Sequence, residues 1–304
     1  MPREKFGSDH TFLPKSEILS YEEINRFVIA CKPLGLQKVR ITGGEPLLRK
    51  DIHKLVEMIS GLGIETALTT NGSLLSGQVK KLARSGLDRL TISLDAMDQE
   101  THSRITDSTF PVSDILEGIM EASSLDLDPV KVNCVVRRGV NESEVPKLVR
   151  KFRGTGVIVR FIEFMDVGRT NGWTPGQVVP SSEILDFLSK DFDLVPLIRK
   201  SPSDVASRWA HSDGSGEIGF ISSVSNPFCR DCVRARLSSE GKLYTCLFST
   251  LGHEMSYMMK READTQKLTQ AITKVWQQRK DRYSEERKPE TITLPRVEMS
   301  YIGG

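Results

Sequence analysis

The chain has 304 residues, and its 42 basic side chains nearly cancel 40 acidic ones, leaving a formal net charge of +2. So even a balance excludes a global field drawing the protein to nucleic acid or an anionic membrane, although R-D-C-V-R-A-R at 230–236 is a local basic cluster. No apolar run approaches a membrane span, and the N-terminal M-P-R-E-K-F-G-S-D-H lacks the apolar centre of a signal peptide, so a soluble cytoplasmic protein is expected.

The first helix is expected at S-Y-E-E-I-N-R-F-V-I-A-C-K (20–32), where Ser20 can cap and apolar residues recur at helical spacing. A strand, K-V-R-I-T (38–42), ends in glycines and leads to the helical D-I-H-K-L-V-E-M-I-S-G-L-G. The cycle then repeats. Strands are expected at 65–70, 89–94, 130–136 and 157–165, with helices at Q-V-K-K-L-A-R-S-G, V-S-D-I-L-E-G-I-M-E-A and E-V-P-K-L-V-R-K-F between them. Strands separated by single helices require right-handed crossovers and a parallel sheet. No G-x-G-x-x-G follows the first strand, which favours a β/α barrel or partial barrel over a doubly wound sheet. Small and polar residues collect at the strand C-terminal ends, at 43–45, 69–72, 93–95 and 163–166, the rim where such barrels keep their chemistry.

Beyond residue 168 the pattern loosens into the loop G-R-T-N-G-W-T-P-G-Q. A helix at 182–190, short strands around G-E-I-G-F-I-S and K-L-Y-T-C-L-F, and a long polar helix at 265–280 lead to the tail S-Y-I-G-G. Two units are expected, a barrel over 1–200 and a smaller cysteine-bearing unit over 201–304.

Five cysteines in a chain this long do not form a disulfide framework, and three of them, Cys229, Cys232 and Cys246, stand as C-x2-C-x13-C with Arg234 and Arg236 between. Three thiolates suit a metal centre with one coordination position left open, and guanidiniums beside them suit an anionic ligand. The competing readings are buried apolar thiols, or a zinc site completed by His211 or His253, and spacing does not choose iron over zinc. In T-G-G-E-P (42–46) two glycines let a ligand approach the backbone and Glu45 could accept from an ammonium group; the plainer reading is a strand-to-helix turn with Glu45 at a helix N-terminus. Cys31 and Cys134 read as core, Lys131 as a strand residue reaching solvent and Met165 as core filler. Arg40 is different: in an otherwise apolar strand, facing a barrel lumen, its charge needs a partner.

T-G-G-E-P-L, T-T-N-G, T-I-S-L-D-A, K-V-N-C-V-V, R-F-I-E-F-M-D-V-G and F-C-R-D-C-V-R-A-R-L-S-S-E-G-K-L-Y-T-C-L-F, in this order, resemble the GTP 3′,8-cyclase family of radical S-adenosylmethionine enzymes along essentially the whole chain. The resemblance implies a radical S-adenosylmethionine partial barrel and a small iron–sulfur unit. It assigns Gly44, Glu45, Ser93 and Met165 to S-adenosylmethionine, and Arg40, Thr69, Lys131, Arg234, Ala235 and Arg236 to GTP. It makes Cys229, Cys232 and Cys246 the ligands of a C-terminal 4Fe–4S cluster whose open iron faces the guanine, and sends the Gly303-Gly304 tail into the active site. In the family, a second, N-terminal 4Fe–4S cluster splits S-adenosylmethionine, the 5′-deoxyadenosyl radical takes hydrogen from C3′ of GTP, and the ribose radical attacks C8. The product is a cyclised dihydroguanosine triphosphate of molybdenum cofactor biosynthesis. The implied partners are GTP, S-adenosylmethionine, a reductant, the downstream cyclic pyranopterin monophosphate synthase and a second copy of the chain, with no nucleic acid or membrane.

The family's N-terminal C-x3-C-x2-C, first barrel strand, an arginine contacting GTP and a tyrosine contacting S-adenosylmethionine have no counterpart here. The expectation is therefore a barrel missing its first strand, in a truncated sequence that binds only the C-terminal cluster and is inactive alone. The alternatives are a non-catalytic GTP- or metal-binding module and another radical S-adenosylmethionine enzyme with an auxiliary cluster.

Overall fold

The computed structural model describes residues 13–168, 171–199, 201, 203–260, 264–287 and 297–302. Ser20 opens the first helix, α1 (Tyr21–Cys31), with a reciprocal cap: its hydroxyl accepts the Glu23 N–H at 3.2 Å while the Glu23 carboxylate accepts the Ser20 N–H at 2.7 Å. Strand and helix then alternate through β1 (Lys38–Ile41), α2 (Ile52–Ser60), β2 (Glu65–Thr70), α3 (Val79–Arg84) and β3 (Arg89–Ser93). They continue with α4 (Gln99–Thr106), α5 (Val112–Ser123), β4 (Val130–Val136), α6 (Val145–Phe152) and β5 (Ile158–Glu163). Helix α4 was not foreseen from periodicity; Asp98 starts it by accepting the Thr101 N–H at 2.8 Å.

After α7 (Ser181–Leu188) come β6 (Leu194–Leu197), β7 (Ser207–His211) and β8 (Glu217–Ile221). The eight strands form one sheet in the order β1-β2-β3-β4-β5-β8-β7-β6. β1 to β5 and β8 run parallel, whereas the β6–β7–β8 connections are antiparallel hairpins. The sheet thus crosses residue 200, where the sequence alone leads one to expect a second unit. Among the described residues no strand pairs with the outer edge of β1.

Each strand offers two faces. In β4, Val130, Val132, Cys134 and Val136 are buried while Lys131, Asn133 and Val135 are less so. The buried face packs on the crossover helices through Val56, Ile59, Leu82, Ile115, Ile119, Leu148 and Val149, each such side chain contributing about 1.5–3 kcal/mol. The other face lines the barrel interior.

The C-terminal part adds β9 (Arg236–Leu237), β10 (Lys242–Tyr244) and β11 (His253–Glu254), an antiparallel sheet in the order β11-β10-β9. Helices α8 (Ser256–Lys260) and α9 (Thr265–Gln277) follow, and the short α10 (Met299–Ile302) ends the described chain. A second core of Phe27, Ala30, Leu243, Met259, Leu268 and Ile272 joins this region to α1. The C-terminal residues are thereby clamped over the barrel by its first helix. No helix among the described residues is long and apolar enough to cross a membrane.

Candidate active site

Between the sheet's inner face and the cysteine-bearing segment lies a cavity of about 2190 Å³. Its lining also takes in Val28 of α1 and Ile52, Leu55 and Ile59 of α2, so part of this space runs along the outer edge of β1. The strands bring Lys38 and Arg40 from β1, Arg89 from β3, Lys131 from β4, Arg160 from β5 and Arg208 from β7 to its wall with two carboxylates, Glu65 and Glu217, while Asp128, Asp204, Asp281 and Glu298 line it from outside the strands.

The two strand carboxylates are already engaged. Glu65 accepts from Lys38 Nζ at 2.9 Å and Arg89 Nε at 2.6 Å, and Glu217 accepts both arms of the Arg208 fork at 2.6 Å. Arg40 donates to two neutral groups, the Thr69 hydroxyl at 2.8 Å and the Thr91 hydroxyl at 3.2 Å. Arg160 donates through Nε to Asn133 Oδ1 at 2.9 Å. Burial, together with Arg160, Arg89, Arg40 and Lys38, pushes the Lys131 ammonium down to about 8. Burial and the charge of Arg40 push Arg160 down to about 10, and burial with Arg89 lowers Arg40, which Glu65 only partly opposes. Lys131 and Arg160 are half-buried cations that repel each other or Arg40, an arrangement that an anion beside them would relieve.

Arg160, Arg89, Lys38 and Asn133 were not singled out from sequence. For Arg160 the signal was there: a cation in the apolar run V-I-V-R-F-I raises the same question as Arg40. Strand register sets Ser93 beside Asn133 and Asn133 beside Arg160, and Thr69 beside Thr91 and Thr91 beside Lys131, two rows on the inner face. Ser93 is exposed at the C-terminal end of β3, on the face it shares with Thr91 by alternation.

Gly43 and Gly44 line the cavity, Gly43 at φ +143°, and a Cβ on either would meet no protein atom within 4 Å. Glu45 is differently placed. Its carboxylate accepts from Leu47 N at 2.9 Å, Thr70 Oγ1 at 2.8 Å and Asn71 N at 2.7 Å, and it is not among the cavity-lining residues. It ties T-G-G-E-P to T-T-N-G. Met165 lines the cavity beyond β5.

Cys229, Cys232 and Cys246 face the same cavity as Arg234, Ala235 and Arg236. A turn, Cys232 N–H to Cys229 O at 3.1 Å, sets the first pair. Arg234 donates to Cys232 Sγ from Nε at 3.4 Å and Nη2 at 3.3 Å, and the Phe248 N–H donates to Cys246 Sγ at 3.4 Å. Burial opposes ionisation of Cys232, but Arg234, with help from Arg279, outweighs it and brings the thiol to about 7. Burial raises the Cys246 thiol and lowers Arg236, whose guanidinium also senses Arg234 and the Cys246 and Cys232 sulfurs. Among the described residues no three His, Cys, Asp or Glu groups are gathered around a single-ion position. Three thiols lining one cavity, with N–H donors on Cys232 and Cys246, fit a cluster, in which each thiolate takes its own iron. His211 packs edge-on against Phe192 with ring centroids 5.6 Å apart, and neither it nor His253 lines the cavity, so the histidine-completed zinc site does not form. Cys134 is fully buried, and burial pushes the Cys31 thiol up to about 12. Tyr301 and Ile302 reach the cavity wall; Gly303 and Gly304 lie outside the described residues.

Residues 5–152 match the Radical SAM superfamily model and residues 157–285 the Molybdenum Cofactor Synthesis C model. The chain is 44% identical to the GTP 3′,8-cyclase of Acidothermus cellulolyticus, with all of this chain and 91% of the relative covered. It is 43% identical to those of Staphylococcus saprophyticus and Xanthomonas axonopodis at the same coverage. The chain belongs to the GTP 3′,8-cyclase family. Among solved structures, peptide-bound SuiB of Streptococcus suis shares the fold, with a TM-score of 0.58 at 14% identity over 85% of this chain and 58% of that one. The cyclase family's radical S-adenosylmethionine membership brings an iron–sulfur cluster and S-adenosylmethionine as its cofactors. Of the five cysteines none stands at C-x3-C-x2-C spacing.

Proposed function

We infer that this chain serves the cyclisation of GTP between C3′ and C8 in molybdenum cofactor biosynthesis, holding the nucleotide between the strand-borne cations and the three thiols. The single observation that carries this is the excess of cations over carboxylates on the strands of the lumen, facing the cysteine segment across one cavity. Arg40, Lys131 and Arg160 take the triphosphate, the arginines as forks and the lysine as a point charge, with Thr69 holding Arg40 in place. Arg234, Ala235 and Arg236 take the guanosine end, and Cys229, Cys232 and Cys246 hold the cluster. When bound, that cluster supplies an iron without a protein thiolate, open to a nitrogen or oxygen of the base.

S-adenosylmethionine lies against Gly43 and Gly44, whose lack of side chains admits it, with Met165 on the cavity wall beside it and Ser93 exposed at the end of β3. Glu45 acts on that site by bracing the glycine loop. Two ligands fixed in one cavity meet at a set distance and angle, which removes most of the orientational entropy from the barrier. No step is assigned to the family's N-terminal cluster, which has no ligand set within these residues.

The test is anaerobic reconstitution with iron and sulfide. We expect a brown protein with about four irons per chain, and an electron paramagnetic resonance spectrum that GTP shifts. A colourless product with one zinc, or a spectrum indifferent to GTP, overturns the reading.

Lys131 gives this site a pH signature. Its ammonium is half lost near pH 8 in the free protein, and a bound triphosphate raises that value by favouring the charge. Binding above pH 8 therefore takes up a proton, and GTP affinity should fall by up to about tenfold per pH unit as pH rises. Calorimetric titrations from about pH 7 to pH 9 check the slope, which Lys131→Met should flatten.

A further inference from the structure

Glu163 ends β5 with no exposure to solvent, a bare carboxylate in the protein interior. Five donors surround it. Ser181 N–H reaches Oε1 at 2.8 Å and the Ser181 hydroxyl reaches the same oxygen at 3.1 Å. The Val224 and Ser225 N–H groups both reach Oε2 at 2.8 Å, and the Ser225 hydroxyl completes the set on Oε1. A buried carboxylate is tolerated only when its charge is met this fully.

The donors come from two places. Ser181 opens α7, part of the barrel's outer layer, whereas Val224 and Ser225 belong to the turn after β8 that runs into Phe228 and Cys229. One and three residues before Glu163, on the opposite face of the same strand, Ile162 and Arg160 line the cavity. One rigid strand therefore bears both a lumen cation and the anchor of the cysteine-bearing turn.

We propose that Glu163 is a positioning residue, fixing where Cys229 and Cys232 stand relative to Arg160. The inference rests on the reading of the thiols as cluster ligands given above. Ser225 lies four residues before Cys229, so a turn released from Glu163 lets the first two thiolates drift from the third, which β10 and Phe248 hold separately. Outer residues that orient metal ligands typically matter by about 10- to 100-fold in metal affinity.

The test compares Glu163→Gln, Ser225→Ala and Ser181→Ala in the full chain, reconstituted anaerobically. Iron retention against a chelator and the GTP-induced shift of the electron paramagnetic resonance spectrum are read beside thermal unfolding. Glu163→Gln should release iron about 10- to 100-fold more readily and blunt the GTP shift. Ser225→Ala, which removes one hydroxyl from the cysteine side, should move in the same direction and still fold. Ser181→Ala removes a hydroxyl bonded to the same oxygen from the barrel side, and should retain iron and the GTP shift.

Wild-type retention and shift in both Glu163→Gln and Ser225→Ala overturn the inference. So does an equal loss in Ser181→Ala, which would mark general loosening. Wild-type chain that takes up no iron overturns the reading of the thiols, and this inference with it.

Discussion

Arg160→Met should weaken GTP binding by about 10- to 150-fold, the equivalent of one charge-assisted hydrogen-bonded contact of roughly 1.5–3 kcal/mol. The same substitution should raise the thermal midpoint of the ligand-free protein. Arg160 is a desolvated guanidinium whose hydrogen bond goes to a neutral amide, and Arg40 and Lys131 both repel it. Exchanging it for an apolar chain of similar length removes that repulsion and a desolvation penalty, at the cost of one bond to Asn133. Opposite signs in binding and stability are what separate a ligand-binding cation from a structural one. Equilibrium dialysis with GTP and a melting curve on the same preparation suffice; unchanged affinity, or a lowered midpoint with normal affinity, would show that Arg160 serves the fold.

The second large effect concerns what holds the C-terminal segment over the barrel. Asp166, just past β5 and 3% exposed, accepts from the Tyr283 hydroxyl at 2.5 Å and forms an ion pair with Arg287 Nη2 at 3.0 Å. Arg287 stands over the rings of Trp173, Phe248 and Tyr283 at 5.9, 5.8 and 5.7 Å, and Phe248 stacks on Tyr283 at 4.5 Å. Phe248 donates its N–H to Cys246, so the cluster of rings backs the third thiol. Removing one partner of a buried ion pair strands the other, and Asp166→Ala should cost about 3–5 kcal/mol in urea unfolding. Glu183→Ala provides the contrast. It breaks the Arg138 pair, whose side chains are 42% and 51% exposed, and should cost under about 1 kcal/mol. Equal midpoints for the two variants would remove the latch from the account.

Much of the fold was legible because it is local. Period-2 runs such as V-K-V-N-C-V-V and helical runs such as Y-E-E-I-N-R-F-V-I-A-C fix their own burial pattern, and the one-helix spacing leaves a parallel sheet as the solution. Helix α4, with mean polarity and only His102 buried, had no apolar stripe to announce it. The hairpin β6–β7–β8 had local strand signals in part, yet its joining the barrel sheet beyond residue 200 depends on pairing with β5, a long-range choice.

The site divides in the same way. Cysteine spacing, the paired glycines and the arginines beside the thiols are properties of the sequence, since each chemistry needs those residue types close along the chain. What tertiary structure alone decided is which distant groups meet. It drew Glu45 to Thr70 and Asn71, and it put Arg160 and Lys131 on one inner face with Arg40. It gave Glu163 partners from residues 181, 224 and 225, and Asp166 partners from 283 and 287. A charge in a strand declares that it needs a partner, but only the closing of the sheet and the packing of the C-terminal segment name that partner, because the energy of a buried charge is set by neighbours in space.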